Sequence, residues 1–312
     1  MLLAETIAAL NPCSGGRYLD GTFGGGGHTA ALLAAAAPDG RVLALDADPE
    51  AVQRGRTLSA RADVAGRLTV VQSRFSALLD IARREGFWPL DGITLDLGFS
   101  SFQLDDPDRG FAFRNDGPLD MRFNPETGRS ARSIVNEASS EEIADTLRGF
   151  GEEHDAWRIA GAIVRERART PIETTAALAA IVTGAIGGRR GANPRAAAKT
   201  FQALRIAVNG ELEELERALQ ASLPALAPGG RLAVIAFHSL EDRMVKHFMR
   251  AHSRDCVCPP EQPICTCDQR PMLKLVGKAI RPSDDEQAAN SRSGSAILRV
   301  AERTAEPYAA GA

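Results

Sequence analysis

Short β-rich segments alternate with helical segments over the first hundred residues of this 312-residue chain. The β-rich segments are the runs at 17–20, 41–48, 68–73 and 91–98, and segments rich in alanine, leucine and charged residues separate them. Strands and helices that alternate in this way form βαβ units, which build a parallel sheet with helices on its faces. The sequence therefore predicts an α/β fold with a doubly wound sheet.

The alternation of strands and helices stops near Gln103. From there to Arg205, apolar residues recur at spacings of three and four, which predicts amphipathic helices. A Pro-Gly-Gly turn followed by an apolar run then restores the strand pattern. We predict one discontinuous domain, formed by residues 1–103 and 206–312, which is interrupted by a helical insertion at 104–205.

Composition excludes several classes of protein. Hydrophobic residues make up 44% and charged residues 25% of the chain, as in ordinary globular proteins. The longest apolar stretch, Ala30–Ala37, is too short to cross a bilayer, and the start of the chain carries Glu5 and no basic segment. We therefore expect a cytoplasmic protein with no membrane partner. A net charge of −3 argues against indiscriminate coating of nucleic acid, but it permits a local basic patch. The sequence also leaves a homodimer open.

The segment "DGTFGGGGHT" at 20–29 places four consecutive glycines between a predicted strand and a predicted helix. Such a turn exposes backbone N–H groups that a nucleotide can approach closely. Gly21, Gly24 and Gly27 do not fit the G-x-G-x-x-G register of dinucleotide sites, and no G-K-[ST] follows, so a P-loop is excluded. The turn alone leaves both a structural turn and a nucleotide site open.

Acidic residues at strand ends narrow the choice of ligand. Asp46 ends the second strand about 20 residues after the glycines, where a carboxylate can accept both hydroxyls of a ribose. Asp96 ends the fourth strand, at the edge where doubly wound sheets bind ligands. The acid that enters the turn, Asp20, favours a cationic ligand over a diphosphate. These features favour S-adenosylmethionine, and an NAD-dependent oxidoreductase is the alternative.

Several long segments of the chain resemble the MraW/RsmH family. They include "YLDGTFGGGGHT", "LDLGFSSFQLDDPDRGFAFRNDGPLDMR" and "LAPGGRLAVIAFHSLEDR", and the resemblance runs from Leu2 to Arg303. Members of that family are S-adenosylmethionine-dependent methyltransferases that act on the exocyclic N4 of a cytidine in 16S ribosomal RNA. The resemblance implies a class I, Rossmann-like sheet with an inserted helical domain, and rRNA (cytosine-N4)-methyltransferase activity. It also implies S-adenosylmethionine as cofactor and the decoding region of the small ribosomal subunit as partner.

The same resemblance assigns the residues that bind the methyl donor. The glycine turn and its histidine are expected to face the methionine end, and the acid after the second strand is expected to bind the ribose. An aromatic residue after the third strand is expected to pack on the adenine. These cofactor-binding residues are Gly26, Gly27, His28, Asp46, Phe75, Asp96 and Gln103.

The chain departs from the family pattern at two places. Met1 directly precedes "LLAE", where the family usually carries a His-x-Pro-Val-like stretch. Phe99 and Phe102 replace a smaller aliphatic residue and a proline, so we expect the pocket for the target base to differ in shape.

Methyl transfer to a cytosine amine requires alignment of the nitrogen with the methyl group and an acceptor for its proton. The end of the fourth strand is the natural place for that acceptor, because other amino-methyltransferases carry an [Asn/Asp/Ser]-Pro-Pro-[Tyr/Phe] motif there. The target base must be flipped out or single-stranded, because its amine is occupied in a duplex. The candidate catalytic residues are Asp96, Asp116, Asp120 and His238, and for the last three a role as helix cap remains open.

A run of basic residues within the predicted insertion is the candidate for contact with RNA phosphates. No acidic residue occurs in the run, which spans 187–205 in a slightly acidic chain. A solvated basic surface without RNA contact is the alternative. The predicted RNA-binding residues are Arg189, Arg190, Arg195, Lys199 and Arg205.

The chain has five cysteines, and four of them lie in the short segment "CVCPPEQPICTC". Four thiolates are the right number for a tetrahedral zinc site, although a C-x-C pair is tighter than the usual C-x₂-C. An odd number of cysteines without an export signal does not indicate a disulfide framework. Metal binding and free or redox-linked thiols both remain open for Cys256, Cys258, Cys265 and Cys267.

Overall fold

A computed structural model describes residues 1–190, 196–256, 258, 262, 264–267 and 269–308, without the side chains of 188–190, 196 and 289. The chain forms two compact units, one of Met1–Gly98 with Leu212–Ala312 and one of Phe99–Glu211. The boundaries expected from the sequence, after Gln103 and Arg205, lie inside the second unit. The second boundary differs because helix α10 (Ala196–Asn209) continues past Arg205, so the end of the basic run does not mark the edge of the unit.

The first unit contains the sheet and the helices that cover it. Its strands are β1 (Arg17–Asp20), β2 (Arg41–Asp46), β3 (Leu68–Gln72), β4 (Leu90–Asp96), β5 (Leu226–Ala236), β6 (Leu273–Leu275) and β7 (Ile297–Arg303). Its helices are α1 (Leu3–Leu10), α2 (Gly27–Ala35), α3 (Pro49–Ser59), α4 (Leu78–Arg84), α11 (Glu211–Ala225, from its second residue), α12 (Ser239–His252) and α13 (Asp284–Ala289).

The seven strands are ordered β3-β2-β1-β4-β5-β7-β6. The first five pair in parallel, and β7 pairs antiparallel with both β5 and β6. This arrangement confirms the class I, Rossmann-like fold that the sequence predicted. The sequence did not predict β6, because a three-residue edge strand with two exposed side chains has no alternating pattern.

Strand β2 shows why the sheet is covered on both faces. Val42 and Ala44 belong to an apolar core shared with α1, α2 and α3, while Leu43 and Leu45 belong to a core shared with α4, α11 and α12. Successive side chains of a strand point to opposite faces, so a continuous apolar run is expected in a strand that is buried twice. Because β1 pairs in parallel with both β2 and β4, the carboxyl ends of these three strands meet at one edge of the sheet, where their terminal polar residues come together.

The second unit is helical. It contains α5 (Ser101–Asp105), α6 (Ala131–Glu137), α7 (Ser140–Gly151), α8 (Ala156–Arg167), α9 (Thr175–Arg190) and α10 (Ala196–Asn209). Its helices enclose their own core, to which Leu147, Ile163 and Leu204 contribute fully buried side chains. Of all the helices within the described residues, none is long and apolar enough to cross a membrane.

Candidate active site

The glycine turn connects β1 to α2 and needs glycine at two positions for different reasons. Gly26 has a φ of +79°, and a Cβ atom there would lie 2.7 Å from Cζ of Phe23. Only glycine adopts this conformation without strain. Gly27, the first residue of α2, has open space for 4 Å around the position of a Cβ atom. Gly26 therefore shapes the turn, whereas Gly27 leaves a space that a ligand can occupy.

Three polar side chains hold this turn in place. Asp20 is fully buried, and its carboxylate accepts the N–H of Thr22 at 3.1 Å and the hydroxyl of Thr29 at 2.7 Å. The hydroxyl of Thr22 accepts the N–H of Asp96 at 2.7 Å. Asp20 thus joins the end of β1 to α2 rather than facing a ligand. Sequence reasoning missed both threonines, although a polar residue on each side of a glycine turn is a usable signal.

Asp46 lies at the end of β2, beside the glycine turn. Its two oxygens accept the N–H groups of Gly24 at 2.7 Å and of Asp48 at 2.8 Å. Burial raises the pKa of Asp46 to about 6; these two N–H groups act against that rise, and the charges of Asp48 and Asp20 add to it. An ionised carboxylate has about four acceptor positions, so Asp46 retains capacity for two hydroxyl groups of a ligand.

Asp96 lies at the end of β4, with His28 from the first turn of α2 nearby. The Nδ1 atom of His28 is 3.7 Å from Oδ2 of Asp96, and the N-terminal ammonium of Met1 is 3.3 Å from the same oxygen. The other oxygen, Oδ1, is buried and has no hydrogen-bond partner within the described part of the chain. Burial raises the pKa of Asp96, and the positive charges of the N-terminus and His28 oppose this. A buried acceptor without a donor is costly unless a ligand supplies the donor.

The structure brings six of the predicted cofactor-binding residues to one edge of the sheet, and the seventh, Gln103, belongs to the second unit. Gly26, Gly27, His28, Asp46 and Asp96 lie at the carboxyl ends of the neighbouring strands β1, β2 and β4.

Phe75 begins a short 3₁₀ turn after β3, where it is half-buried and packs on the core of the first unit. Its Cβ lies beside the glycine turn, 3.1 Å from the position that a Cβ atom on Gly21 would take. Gln103 belongs to the second unit, and its side chain forms a capping box with Ser100 at the start of α5. Their contacts with a methyl donor remain predictions.

Two of the candidate catalytic acids have structural partners in the second unit. Asp116 is exposed and accepts the N–H of Ala176 at 3.0 Å in the first turn of α9, and this contact lowers its pKa. Asp120 forms a bidentate ion pair with Arg122, with its closest approach at 2.6 Å. Asp116 therefore caps the start of α9, which is the alternative that the sequence left open. Neither this contact nor the ion pair of Asp120 supports a role in catalysis.

His238 is the N-cap of α12, directly after β5. Its Nδ1 accepts the N–H of Glu241 at 3.4 Å, and Glu241 in turn accepts the N–H of His238 at 3.3 Å. Its Nε2 is buried 3.2 Å from Oε1 of Glu241, but in a geometry that makes no hydrogen bond. The helix cap is thus present, and a catalytic role for Nε2 stays a prediction.

The predicted RNA-binding residues are not all placed on a surface. Arg205 is buried, and its guanidinium forms a bidentate ion pair with Glu211 at 2.7 and 2.9 Å. A buried, paired guanidinium cannot bind a phosphate without breaking that pair, so the prediction for Arg205 is wrong. Lys199 is exposed and donates to the carbonyl of Glu152 at 2.9 Å. The other three residues stay predictions: Arg195 lies outside the described residues, and the side chains of Arg189 and Arg190 are not described.

Comparison with known proteins finds one family over nearly the whole chain. The chain matches the MraW methylase family over residues 1–304. It is 53% identical, over 98% of its length and 93% of the other, to the protein named ribosomal RNA small subunit methyltransferase H of Thermomicrobium roseum. It is 50% identical, over 97% of both chains, to the protein of the same name of Heliobacterium modesticaldum.

A third protein of that name, from Syntrophus aciditrophicus, is 47% identical over 97% of this chain and 96% of the other. Similarity of this length sets aside the NAD-dependent oxidoreductase that the glycine turn and Asp46 left open. The chain belongs to the MraW methylase family.

Proposed function

We propose that this chain transfers a methyl group from S-adenosylmethionine to the exocyclic N4 of a cytidine in 16S rRNA, in the decoding region of the small ribosomal subunit. Membership of the methylase family and the names of its relatives support the reaction and the class of substrate. The observation that carries the chemistry is the buried Oδ1 of Asp96, an acceptor without a donor at the ligand-binding edge of the sheet. An enzyme that acts on this RNA works in the cytoplasm, and a homodimer stays a prediction.

The residues at the edge of the sheet fit S-adenosylmethionine, which the family uses as its methyl donor. The open space at Gly27 admits the methionine end, and Asp46 can accept both ribose hydroxyls. The carboxylate of Asp96 ends β4 at the same edge of the sheet, where its negative charge suits a cation. When bound, S-adenosylmethionine supplies an electrophilic methyl group on a sulfonium.

The chain's own contribution to catalysis is to position an amine and to accept its proton. The lone pair of the cytosine amine is delocalised into the ring, so an acceptor that hydrogen-bonds the N–H₂ group favours the pyramidal, nucleophilic form. Oδ1 of Asp96 is free to accept that bond and, as the N–C bond forms, the proton. The raised pKa of Asp96 makes it a stronger base than an exposed aspartate. Thr22 fixes the position of Asp96 through its backbone N–H.

Gly27→Ala tests whether the open space at the start of α2 belongs to the ligand. We expect an unchanged or slightly higher melting temperature, because nothing lies within 4 Å of the new methyl group and alanine is the better helix former. We also expect the Kd for S-adenosylmethionine to rise by about tenfold, since the methyl group fills space that the ligand needs. Calorimetric titration and thermal denaturation measure the two effects.

The matched control is Gly149→Ala in α7, where a Cβ atom would likewise meet nothing within 4 Å. This control should leave the Kd unchanged. Equal affinity of the Gly27→Ala variant and the wild type would show that the ligand does not occupy this space.

The helical second unit is proposed to contact the RNA through its basic run. We expect Arg189→Glu with Arg190→Glu to weaken binding of 16S rRNA by at least tenfold at moderate salt, since each reversal replaces attraction to a phosphate by repulsion. Binding of S-adenosylmethionine should not change. Filter binding or fluorescence anisotropy at two salt concentrations measures the RNA affinity.

The control for net charge is Arg83→Glu with Arg84→Glu, two exposed arginines at the end of α4 in the first unit. It changes the total charge of the protein by the same amount. An equal loss of RNA affinity in both double variants would contradict a specific role for the basic run, as would an equal loss of S-adenosylmethionine binding in the first.

The reaction itself is tested with purified protein, labelled S-adenosylmethionine and small subunits that lack N4-methylcytidine. We expect label in N4-methylcytidine after nuclease digestion and chromatography. Free 16S rRNA, supplied in parallel, identifies the assembly state that the enzyme accepts. Label in another nucleoside, or in none with either substrate, would refute the proposed function.

A further inference from the structure

The four clustered cysteines lie in the segment between α12 and β6, which belongs to the first unit. A hydrogen bond joins the two ends of this segment: the N–H of Met272 donates to the carbonyl of His252, at 2.8 Å. Within it, the described Ile264 is 74% exposed and thus adds no apolar core. Where the described residues of a short segment bury little apolar surface, a disulfide or a metal ion is a common means of holding one conformation.

The sulfur atoms of the four cysteines lie close to one another. The Sγ atom of Cys265 lies 3.5 Å from those of Cys256 and Cys267 and 3.9 Å from that of Cys258, and Cys256 and Cys267 are 3.8 Å apart. All four Sγ atoms lie within 4.8 Å of one another. This places residues that are up to eleven positions apart in sequence at the corners of one small polyhedron.

These distances are those of a tetrahedral metal site and not of disulfides. Four sulfurs at about 2.3 Å from one zinc ion lie about 3.8 Å from one another. A disulfide requires about 2.0 Å between its sulfurs, and none of the four cysteines is in a disulfide. The backbone N–H of Cys258 points to Sγ of Cys256 at 3.4 Å, and such bonds stabilise the thiolate that a metal requires.

We propose that Cys256, Cys258, Cys265 and Cys267 bind one zinc ion in a closed structural site, which stabilises the conformation of the segment between α12 and β6. Four thiolates fill the coordination sphere, which leaves no position for a water or a substrate. The site is therefore structural, and the chemistry at Asp96 does not depend on it. Clusters of several irons require wider spacing between their thiolates, so a single tetrahedral ion fits best.

Metal analysis of protein purified under reducing conditions without chelator is the direct test. We expect about one zinc per chain in the wild type. The double variant Cys256→Ser with Cys265→Ser should retain less than a tenth of that content. The matched control is Cys13→Ser, which removes the exposed fifth cysteine outside the cluster and should leave the zinc content unchanged.

Thiol titration of the wild type provides a second readout that does not depend on whether a variant folds. One of the five thiols, Cys13, should react rapidly in the native protein, and all five should react after chelation of the metal. Limited proteolysis should then cut between residues 253 and 271 in the chelated protein and not in the zinc-bound one. Re-addition of zinc should restore both protections.

The proposal is overturned if the protein contains no zinc and takes up none when the reduced apoprotein is titrated with it. Stoichiometric iron in place of zinc would overturn the identity of the metal. Five reactive thiols in the untreated, reduced protein would show that the cysteines are free. Each of these results is independent of methyltransferase activity, so it tests this site and not the proposed function.

Discussion

Asp96→Asn is expected to lower the rate of methyl transfer by about 10²- to 10⁴-fold, the range typical of losing a positioned general base. The amide has the same shape as the carboxylate, and the backbone N–H of residue 96 still donates to Thr22. The fold around the site should therefore persist. What is lost is the acceptor for the proton of the cytosine amine, since an amide oxygen is a far weaker base than a carboxylate. Single-turnover kinetics with saturating S-adenosylmethionine measure the chemical step directly.

The affinity of the Asp96→Asn variant for S-adenosylmethionine separates two roles of this residue. If Asp96 accepts the proton, Kd changes by a few-fold at most while the rate falls by orders of magnitude. If Asp96 only holds the methyl donor, the loss of affinity matches the loss of kcat/KM and the rate at saturation stays near that of the wild type. The second pattern would contradict the assignment of Asp96 as the proton acceptor.

Asp46→Ala is expected to raise the Kd for S-adenosylmethionine by about 100-fold. Two hydrogen bonds from ribose hydroxyls to a carboxylate are lost, and together they contribute about 3 kcal/mol, where each 1.4 kcal/mol is a factor of ten. The variant also leaves the N–H of Gly24 without its acceptor, so the melting temperature must be measured in parallel. Asp46→Asn keeps one acceptor oxygen and should show an intermediate effect.

A control for general acidity at this edge is Glu50→Gln, which removes an exposed charge in the first turn of α3. It should leave the Kd within twofold of the wild-type value. Wild-type affinity in the Asp46→Ala variant would show that the ribose is bound elsewhere.

The affinity should also depend on pH through the same carboxylate. Burial holds the pKa of Asp46 at about 6 in the free protein, so the group is ionised above that pH and protonated below it. The ionised form accepts both hydroxyls, and therefore the Kd is expected to be constant above pH 6 and to rise as the pH falls below it. The Asp46→Ala variant should lack this component. Calorimetric titrations between pH 5 and 8 compare the two proteins.

The strand-end acids of the site could be predicted from the sequence, because parallel strands bring their carboxyl ends to one edge of a sheet. Asp46 and Asp96 each close an apolar run, and the run itself marks where the strand stops. The different roles of Gly26 and Gly27 could not be predicted, since they depend on a backbone angle and on the position of Phe23. The hydrogen bond between Thr22 and Asp96 could not be predicted either, because it joins residues 74 positions apart.

Predictions from charge alone were less successful than predictions from strand ends. The basic run is continuous in sequence, but a helix turns its residues to different sides, and Arg205 faces inwards to pair with Glu211. The position of an arginine in a charge run does not reveal a partner six residues later. For the four cysteines, the sequence left both metal binding and free thiols open, because the spacing C-x-C is unusual for a zinc site. Only the positions of the sulfur atoms show that the four side chains meet.

The product of the proposed reaction is N4-methylcytidine in 16S rRNA, which mass spectrometry of that RNA detects. The rRNA is isolated from cells that lack this protein and from the same cells supplied with the wild type or with Asp96→Asn. We predict that N4 methylation at one cytidine of the decoding region is absent without the protein, returns with the wild type and does not return with the variant. Persistence of every N4-methylated cytidine in cells without the protein would contradict the proposed function.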